Sequence, residues 1–336
     1  MPPVDAPASR PDATVAGLVV ARYRREFLVE DAHGQRHRCL AGRRDLRPLV
    51  GDRIRFSLPG HAGDTGRIEH LEPRENCLER IDSRGRAEPL AANLTQLVVV
   101  IATQPPPDPL LVDRYLCAAR LLDLSACVVS NKADLTGRGR PPIIPEEPVN
   151  RIEVAAGTGP GAGELLAEYR ALGYEVIECS ALDGAGLEAL ARRLAGEVSS
   201  LVGQSGVGKS SLVNRLVPAA AQAVGEVSAR SGEGRHTTTT ALAHRLAGGG
   251  MVIDFPGVRG YSPPLPPPAR VQQGFCEIER AAPDCRFANC LHQDEPDCAV
   301  KRAVAEGAIS ARRYASYLDL VRLAAKFDRP DARRRG

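Results

Sequence analysis

The chain has 336 residues, of which 43% are hydrophobic and 25% charged, and its formal net charge is +3. This composition excludes a wholly disordered chain, and the length allows two or three folded domains. The longest apolar runs are far shorter than the roughly 20 residues that span a bilayer, and the start lacks the apolar core of a signal peptide. We therefore expect a cytoplasmic protein without a membrane partner.

Residues 1–13 are rich in Pro, Ala and Asp, which predicts a disordered tail. Region 14–88 then carries five short β-type runs separated by turns, with arginines between the apolar residues. The runs cover 14–23, 26–31, 35–40, 52–58 and 66–71. Such a pattern predicts an OB-fold β-barrel, a fold that often binds nucleic acid, although a barrel that contacts only protein fits as well.

Region 89–265 alternates apolar strands with helices, which is typical of an α/β domain with a parallel sheet. We predict a helix over 109–123 and strands over 97–101, 126–130, 175–179, 199–202 and 251–254. Residues 136–163, rich in Gly and Pro, have the composition of a surface insertion. Ligands of such sheets bind at the carboxyl ends of the strands.

Region 266–336 follows a proline-rich linker and is predicted to be mainly helical, with helices over 299–306 and 309–327. Its last part is basic and forms a basic tail, and a second basic cluster lies near the N-terminus. The N-terminal cluster contains Arg22, Arg24, Arg25, Arg36, Arg38, Arg43, Arg44 and Arg47. Basic ends suggest contact with nucleic-acid phosphates, and solvated charged faces are the alternative.

A phosphate-loop motif runs from Gly203 to Ser210, after an apolar strand and before a predicted helix. Its glycines let backbone N–H groups approach phosphate oxygens, Lys209 reaches the terminal phosphates, and Ser210 offers a hydroxyl to Mg²⁺. A glycine-rich turn can match this pattern by chance. The motif alone indicates a nucleotide of either base.

The stretch Asn131-Lys-Ala-Asp134 follows another apolar strand and predicts which base is bound. A carboxylate at Asp134 can accept hydrogen bonds from both N1–H and the 2-amino group of guanine, a pairing that adenine cannot make. Ser180 and Ala181, also after a strand, resemble a backbone contact to the guanine oxygen. The pattern therefore favours GTP over ATP.

A third motif, Asp254-Phe-Pro-Gly257, predicts a carboxylate near Mg²⁺ and a glycine that senses the γ-phosphate. The polar stretch 232–240 lies between it and the phosphate loop and predicts a switch whose threonine closes over Mg²⁺. Val258 stands where many signalling GTPases have a water-orienting glutamine. His236 is then the nearest candidate to orient water, with a structural or phosphate-binding role as the alternative.

The order of these motifs is unusual, because the base-reading motif normally comes last and here comes first. Either two of the matches are accidental or the GTPase domain is circularly permuted. Each motif follows an apolar strand, and for this reason we favour permutation. The resulting order along the chain is base motif, Ser-Ala contact, phosphate loop, switch threonine and Asp254 motif.

Four of the nine cysteines fall close together, and three of these form the pattern Cys285-x4-Cys290-x-His292-x5-Cys298. Three thiolates and one imidazole at this spacing predict a closed, structural Zn²⁺ site. Cys276 is an alternative ligand. The five scattered cysteines are predicted to be small buried hydrophobes, and we expect no disulfide framework.

The combination of barrel, permuted motifs and zinc pattern resembles the RsgA (YjeQ) family of GTPases that act in small ribosomal subunit biogenesis. The stretches 91–98, 112–116 and 234–239 are also similar to that family, and the resemblance covers about residues 14–328. It implies a monomer with an OB-fold, a permuted GTPase domain and a zinc-binding domain, which docks on the small subunit and its rRNA. It also implies slow intrinsic GTP hydrolysis that the subunit stimulates.

The resemblance implies roles for residues that match the family's motifs. Catalysis would involve His236, Lys209 and Thr238, with the register of the switch threonine open by one within 237–240. Nucleotide binding would involve Asn131, Lys132, Ala133, Asp134, Ser180, Ala181, Gly203, Gln204, Ser205, Gly206, Val207, Gly208, Lys209, Ser210, Ser211, Asp254 and Gly257. Magnesium would be bound by Ser210 and Thr238, and zinc by Cys285, Cys290, His292 and Cys298.

Two other functions fit parts of the pattern. One is a nucleotide-gated regulatory module that holds a protein partner through the barrel and the zinc domain. The other is a structural RNA-binding protein with an inactive nucleotide fold, which the filled phosphate and metal positions disfavour.

Overall fold

A computed structural model describes residues 14–23, 26–58, 65–81, 86–135, 161–217, 241–255 and 263–327. The predicted tail 1–13, most of the insertion 136–163 and the switch stretch 232–240 lie outside these ranges, as does Gly257. Within them, no helix combines the length and the apolar character needed to cross a membrane.

The first five strands close into a barrel. They are β1 (Thr14–Arg22), β2 (Glu26–Asp31), β3 (Arg36–Ala41), β4 (Arg53–Ser57) and β5 (Gly66–Leu71). Strand β1 pairs with both β2 and β4, and a parallel pairing of β3 with β5 completes the circuit. Alternate residues such as Val29, Phe56 and Ile68 fill the interior. The predicted N-terminal five-stranded barrel is confirmed.

A two-stranded hairpin leads from the barrel into the central domain, and the sequence pattern did not predict it. Its strands are β6 (Cys77–Ile81) and β7 (Ala87–Ala92). Asn93 follows in the left-handed region at φ 57°, and its side chain joins three segments. Its amide accepts a hydrogen bond from Glu75 N at 2.9 Å and donates one to Gly51 O at 2.9 Å.

The central domain is built on a five-stranded parallel sheet in the order β10-β9-β8-β11-β13, with β12 antiparallel at its edge. The six strands of the central domain are β8 (Gln96–Ala102), β9 (Ser125–Asn131), β10 (Glu175–Glu178), β11 (Val198–Val202), β12 (Ala241–Arg245) and β13 (Met251–Asp254). Its helices are α1 (Pro109–Leu121), α2 (Ala162–Ala171), α3 (Leu187–Leu194) and α4 (Lys209–Leu216). Every residue of β8 is buried because the sheet has packed residues on both faces.

Helix α1 ends two residues earlier than the pattern predicts. Leu122 caps it, and Asp123 then takes a positive φ of 56°, which no helix can continue. At its start, the Asp108 carboxylate accepts hydrogen bonds from the backbone amides of Leu110 and Leu111. The helix is therefore closed at both ends by local backbone geometry.

The C-terminal part is helical, as predicted. It contains α5 (Pro268–Val271), α6 (Cys276–Ala281), α7 (Ala299–Ala305) and α8 (Ala311–Phe327), with 3₁₀ turns at Gln272–Gly274 and Ala282–Asp284. Phe275, Tyr317 and Leu320 form its core together with Cys117 of α1. The expectation that the basic residues here are surface groups is wrong for Arg313, which is 0% exposed and pairs with Asp113.

The barrel and the central domain share one continuous sheet of eleven strands. Strand β1 pairs with β12 through Ala21–Leu242 and Arg22–Ala241. Beside this junction, the buried Glu30 of β2 forms an ion pair with Arg245 of β12. The strand that follows the predicted switch is thus hydrogen-bonded to the barrel on one edge and to β13 on the other.

Candidate nucleotide and metal sites

Three of the predicted motifs meet at one edge of the sheet. Asn131 is the last residue of β9, Gly203 directly follows β11, and Asp254 is the last residue of β13. The three strands are parallel, so their carboxyl ends lie on the same side. This edge is where open α/β sheets bind ligands.

Asn131 joins the base motif to the other two loops of the site. It is 2% exposed, and its Nδ2 donates a hydrogen bond to Val207 O of the phosphate loop at 2.9 Å. Its Oδ1 accepts one from Ala181 N at 3.1 Å. Both functions of a buried amide are therefore satisfied, which fixes the spacing between the base-reading and phosphate-binding segments.

Glycines shape the phosphate loop because the backbone there is left-handed and closely packed. Gly208 has φ +91°, and a Cβ on it would overlap the Asn131 amide. A Cβ on Gly203 would overlap the carbonyl oxygen of Val100. Gly208 caps helix α4, so the free N–H groups of the first helical turn face the loop, an arrangement that favours phosphate.

Two lysines lie along this loop. Lys209 Nζ donates hydrogen bonds to the carbonyl oxygens of Gly203 and Gln204, both at 2.8 Å. Lys132, at φ 65°, donates from Nζ to Gln104 O and Gly206 O, both at 2.7 Å. Both ammonium groups thus place positive charge against the backbone of the loop, where phosphates would bind.

Asp134 lies beside the Ser180 loop. Its Oδ1 accepts a hydrogen bond from Ser180 Oγ at 2.7 Å, and Ser180 is fully buried. The Ser180 hydroxyl oxygen also accepts from the amides of Leu182 and Asp183, at 3.2 and 3.3 Å. The serine therefore holds the carboxylate and shapes the next turn. Leu182, which follows Ala181 in this loop, is 78% exposed.

Asp254 and Lys209 influence each other electrostatically. Burial raises the pKa of the Asp254 carboxyl, and Lys209 and His244 act against this rise. Burial lowers the pKa of Lys209, and Asp254 acts in the opposite direction. The Asp254 carboxylate also accepts a hydrogen bond from Phe255 N at 2.9 Å. Oxygen ligands of this kind, together with the Ser210 hydroxyl, fit the chemistry of Mg²⁺.

The remaining predicted site residues divide into two groups. Ser205, Gly206, Ser210 and Ser211 belong to the loop and the start of α4, and Ala133 N donates to Cys179 O at 3.0 Å. His236, Thr238 and Gly257 lie outside the described residues. Their catalytic and magnesium-binding roles stay predictions.

Cys285, Cys290, His292 and Cys298 form a compact group in the C-terminal part, with all ligand atoms within 4.8 Å of one another. His292 Nδ1 lies 3.5 Å from Cys285 Sγ and 3.4 Å from Cys298 Sγ, and the two sulfurs are 3.9 Å apart. A tetrahedral ion with Zn–S bonds of ~2.3 Å would separate two sulfurs by about 3.8 Å. The donor set fits zinc.

The second nitrogen of His292 supports this assignment. Nε2 lies 2.8 Å from Gln272 Oε1, so the ring can donate there and leave Nδ1 free for a metal. Cys276, the alternative ligand, does not belong to the four-residue group and instead contacts the Glu277 carboxylate at 3.3 Å. All nine cysteines are free thiols.

Some residues that complete these sites escaped the sequence patterns. Lys132 contacts the backbone carbonyl of Gln104, a group that any residue could supply, so the identity of this residue gives no signal. Gln272 lies twenty positions before its partner His292, too far for a local motif to link them. Asp113, a buried acid outside both sites, carried a usable signal in the sequence, because an acid at this position falls on the apolar face of α1 with Leu116 and Cys117. That placement required a buried partner.

Comparisons with known proteins agree with this geometry. The family model described as RsgA GTPase matches residues 71–263. A protein of Chromohalobacter salexigens named small ribosomal subunit biogenesis GTPase RsgA is 42% identical over 310 residues, covering 91% of this chain and 85% of that protein. One with the same name from Azotobacter vinelandii is 42% identical, covering 90% of this chain and 83% of its own.

Two solved structures share the fold. YjeQ from Thermotoga maritima is 27% identical, with a TM-score of 0.68, and the match covers 93% of this chain and 99% of that one. YloQ, described as a circularly permuted GTPase, matches with a TM-score of 0.67 at 21% identity. The expected permuted order of motifs is confirmed. The chain belongs to the RsgA family of circularly permuted GTPases.

Proposed function

We propose that this GTPase binds the small ribosomal subunit, assists its late maturation and couples GTP hydrolysis to docking and release. The proposal is carried by one observation: the base motif, phosphate loop and Asp254 meet at one sheet edge in a chain 42% identical to proteins named for this role. We propose further that it acts as a cytoplasmic monomer.

In the proposed site, Asp134 reads guanine and Lys132 packs its stem along the base, beside Ala133, Ser180 and Ala181. Residues 203–211 hold the phosphates. Lys209 would neutralise charge that develops on the γ-phosphate during transfer. Ser210, Thr238 and Asp254 would serve Mg²⁺, which supplies further charge neutralisation. His236 would orient the attacking water, since Val258 cannot.

Zinc is proposed as a structural cofactor of the C-terminal region. The four ligands leave no open position, and a protein site of this kind supplies folding free energy, about 10 to 16 kcal/mol in small zinc domains. We propose the domain bounds 14–88, 89–265 and 266–336, after a tail over 1–13. These bounds lie where the composition and the hydrophobic pattern of the sequence change.

The proposed rRNA contacts are arginines of the barrel and basic residues of the C-terminal region. Arg36, Arg38 and Arg43 keep side-chain exposures of 46%, 67% and 64%, and they face carboxylates with which rRNA phosphates would compete. Phosphate contacts of this kind make binding steeply dependent on salt. Docking then depends on the nucleotide if the GTP-bound and GDP-bound forms of the protein differ in their affinity for the small subunit.

The central experiment is the GTP hydrolysis rate measured alone, with purified small subunits and with purified large subunits. We expect stimulation by small subunits only, and Lys209→Ala should remain inactive in all three conditions. Hydrolysis of ATP at a similar rate would contradict the base assignment. A rate unchanged by small subunits would contradict the proposed function.

The alternative, a regulatory module that holds a protein partner, differs in its response to salt. An interface built on phosphate contacts loses roughly 10³- to 10⁵-fold in affinity between 50 and 200 mM salt, for six to ten such contacts. An apolar protein interface changes little over this range. Sedimentation with small subunits at both salt concentrations separates the two hypotheses.

A further inference from the structure

A carboxylate with no use in the nucleotide chemistry is buried in the middle of α1. Asp113 is 0% exposed, and its Oδ1 accepts hydrogen bonds from Tyr169 OH of α2 and Arg313 Nη1 of α8, both at 2.6 Å. Its Oδ2 accepts one from Arg312 Nη1 at 2.7 Å. Three donors from two other helices therefore converge on one acid.

The arginine opposite Asp113 is buried as deeply and links a third element. Arg313 Nε donates to Glu277 Oε1 of α6 at 2.6 Å, and its guanidinium lies 4.4 Å from the centre of the Phe275 ring. A buried ion pair adds little net stability compared with apolar packing, but a buried charge without its partner is very unfavourable. This cluster therefore permits one placement of α8 and α6 against α1.

The same C-terminal elements hold the metal-binding loop. Tyr314 and Tyr317 of α8 donate hydrogen bonds to the carbonyl oxygens of His292 and Leu291, at 2.5 and 2.9 Å. Gln272 holds the His292 ring, and its turn ends at Gly274, where a Cβ would overlap Cys117 of α1. The metal loop is thus connected to α1 through both α8 and this turn.

Helix α1 also touches the phosphate loop. The backbone amide of Asp108, which caps α1, donates to Gln204 Oε1 at 3.2 Å. Burial raises the pKa of the Tyr115 hydroxyl, and the Gly203 backbone acts against this rise through a hydrogen bond. Tyr115 and Asp113 stand two residues apart on the helix, so one rigid element contacts the nucleotide loop and the C-terminal cluster.

We propose that Asp113 is a positioning residue that couples nucleotide binding at the phosphate loop to metal retention by Cys285, Cys290, His292 and Cys298. A bound nucleotide favours one position of α1. Because Asp113 of α1 pairs with Arg313 of α8, the nucleotide also favours the position of α8 in which Tyr314 holds the His292 loop. Coupling between two binding equilibria is reciprocal, so the metal also favours nucleotide binding. The inference rests on the proposed nucleotide and zinc sites.

The test is the rate at which the full-length, zinc-loaded protein transfers zinc to a chromogenic chelator, with and without saturating GDP or a non-hydrolysable GTP analogue. Coupling free energies typically correspond to factors of about 5 to 150, so we expect at least one nucleotide to slow transfer about fivefold or more. In Asp113→Asn, which keeps the shape but loses the charge, the nucleotide effect should fall below about twofold.

Two further variants separate coupling from stability. Tyr115→Phe removes only the hydroxyl that meets Gly203 and keeps the Asp108–Gln204 contact. It should reduce the nucleotide effect at least twofold while leaving the nucleotide-free transfer rate unchanged, even if Asp113→Asn fails to fold. Glu279→Gln breaks the Arg120–Glu279 pair, whose side chains are 42% and 44% exposed at the same interface, and should leave the coupling intact.

Zinc content and fluorescent-nucleotide binding are measured on every variant. If both ligands bind but zinc transfer ignores nucleotide in the unsubstituted protein, the inference is overturned and the proposed function is untouched. A full nucleotide effect in Tyr115→Phe and Asp113→Asn would overturn it as well. Absence of zinc or nucleotide binding would contradict the proposed sites themselves, and the inference with them.

Discussion

Single side chains decide how the parts of the nucleotide site are spaced. Asn131 uses both atoms of its amide, one toward the phosphate loop and one toward Ala181, and so connects segments that are 76 and 50 residues away in sequence. A shorter or charged side chain could not satisfy both contacts while buried. The base motif thus has a structural role beside its predicted contact with guanine.

Asp134→Asn should change the preferred base from guanine to xanthine. The new amide can donate to the 2-oxo group of xanthine but cannot accept both hydrogen bonds from guanine, so GTP affinity should fall roughly 10- to 100-fold and xanthosine triphosphate affinity should rise. The Asn oxygen can still accept from Ser180, which keeps the loop in place. Fluorescent-nucleotide titration measures both affinities.

Asp183→Asn is the matched control, because this neighbouring acid is exposed. The side-chain oxygen of the new asparagine can still accept the hydrogen bond from Ala185 N. It should leave both affinities unchanged. Equal losses for the two variants, or unchanged GTP binding in Asp134→Asn, would contradict the assignment of guanine reading.

At the scale of elements, the junction between the phosphate loop and helix α4 depends on Gly208. Its φ of +91° is in the left-handed region, and its Cα faces the Asn131 amide without room for a methyl group. Local strain and a long-range contact coincide at one residue. The sequence motif requires glycine here for two separate physical reasons.

Gly208→Ala should therefore weaken nucleotide binding tenfold or more, about 1.4 kcal/mol, because the loop or Asn131 must move. Gly249→Ala is the control: it has a similar φ of +82° with no atom within 4 Å of the added methyl, so only the strain of roughly 1–2 kcal/mol remains. Titration should show normal nucleotide affinity for Gly249→Ala. Similar affinities in both variants would disprove the steric argument.

Strand β12, like the β6–β7 hairpin, was not predicted from the sequence. Ala241–Arg245 is short, carries two charged or titratable residues, and has no strong strand pattern. It forms because β13 and β1 offer hydrogen-bonding edges on both sides. The barrel therefore continues the sheet of the GTPase domain, directly after the predicted switch.

At the scale of the whole molecule, buried charges set how the C-terminal part meets the central domain. Burial acts to raise the pKa of Glu277, but the hydrogen bonds and charge of Arg313 outweigh it, and the resulting pKa lies below the ordinary 4.5. A lowered folded pKa contributes stability that is fully present above pH 4.5 and is lost as the pH falls through the folded value.

Glu277→Gln should destabilise the protein by about 3 kcal/mol at pH 7, since Arg313 loses a buried charge partner. The difference from the unsubstituted protein should shrink as the pH is lowered below about 4.5. Urea unfolding at a series of pH values measures it, with zinc content recorded at each pH. A difference that stays constant with pH would refute the role of this ion pair.

The sequence by itself determined the features that depend on neighbours along the chain. The glycine positions of residues 203–208, the strand-terminal Asn131 and Asp254, and the four proposed zinc ligands within 14 residues are local patterns, and local geometry is enough to interpret them. The barrel followed from five short alternating strands. The circular permutation could also be inferred from the sequence, because each motif follows an apolar strand.

Only the tertiary structure decided which distant groups meet. Arg313 belongs to a stretch whose composition predicts a basic surface, yet it pairs with Asp113, 200 residues earlier, and both residues are 0% exposed. The pairing of β1 with β12 and the contact of Gln272 with His292 are of the same kind. The reason is physical: buried polar groups must find partners, and those partners are chosen by packing, which sequence spacing does not record.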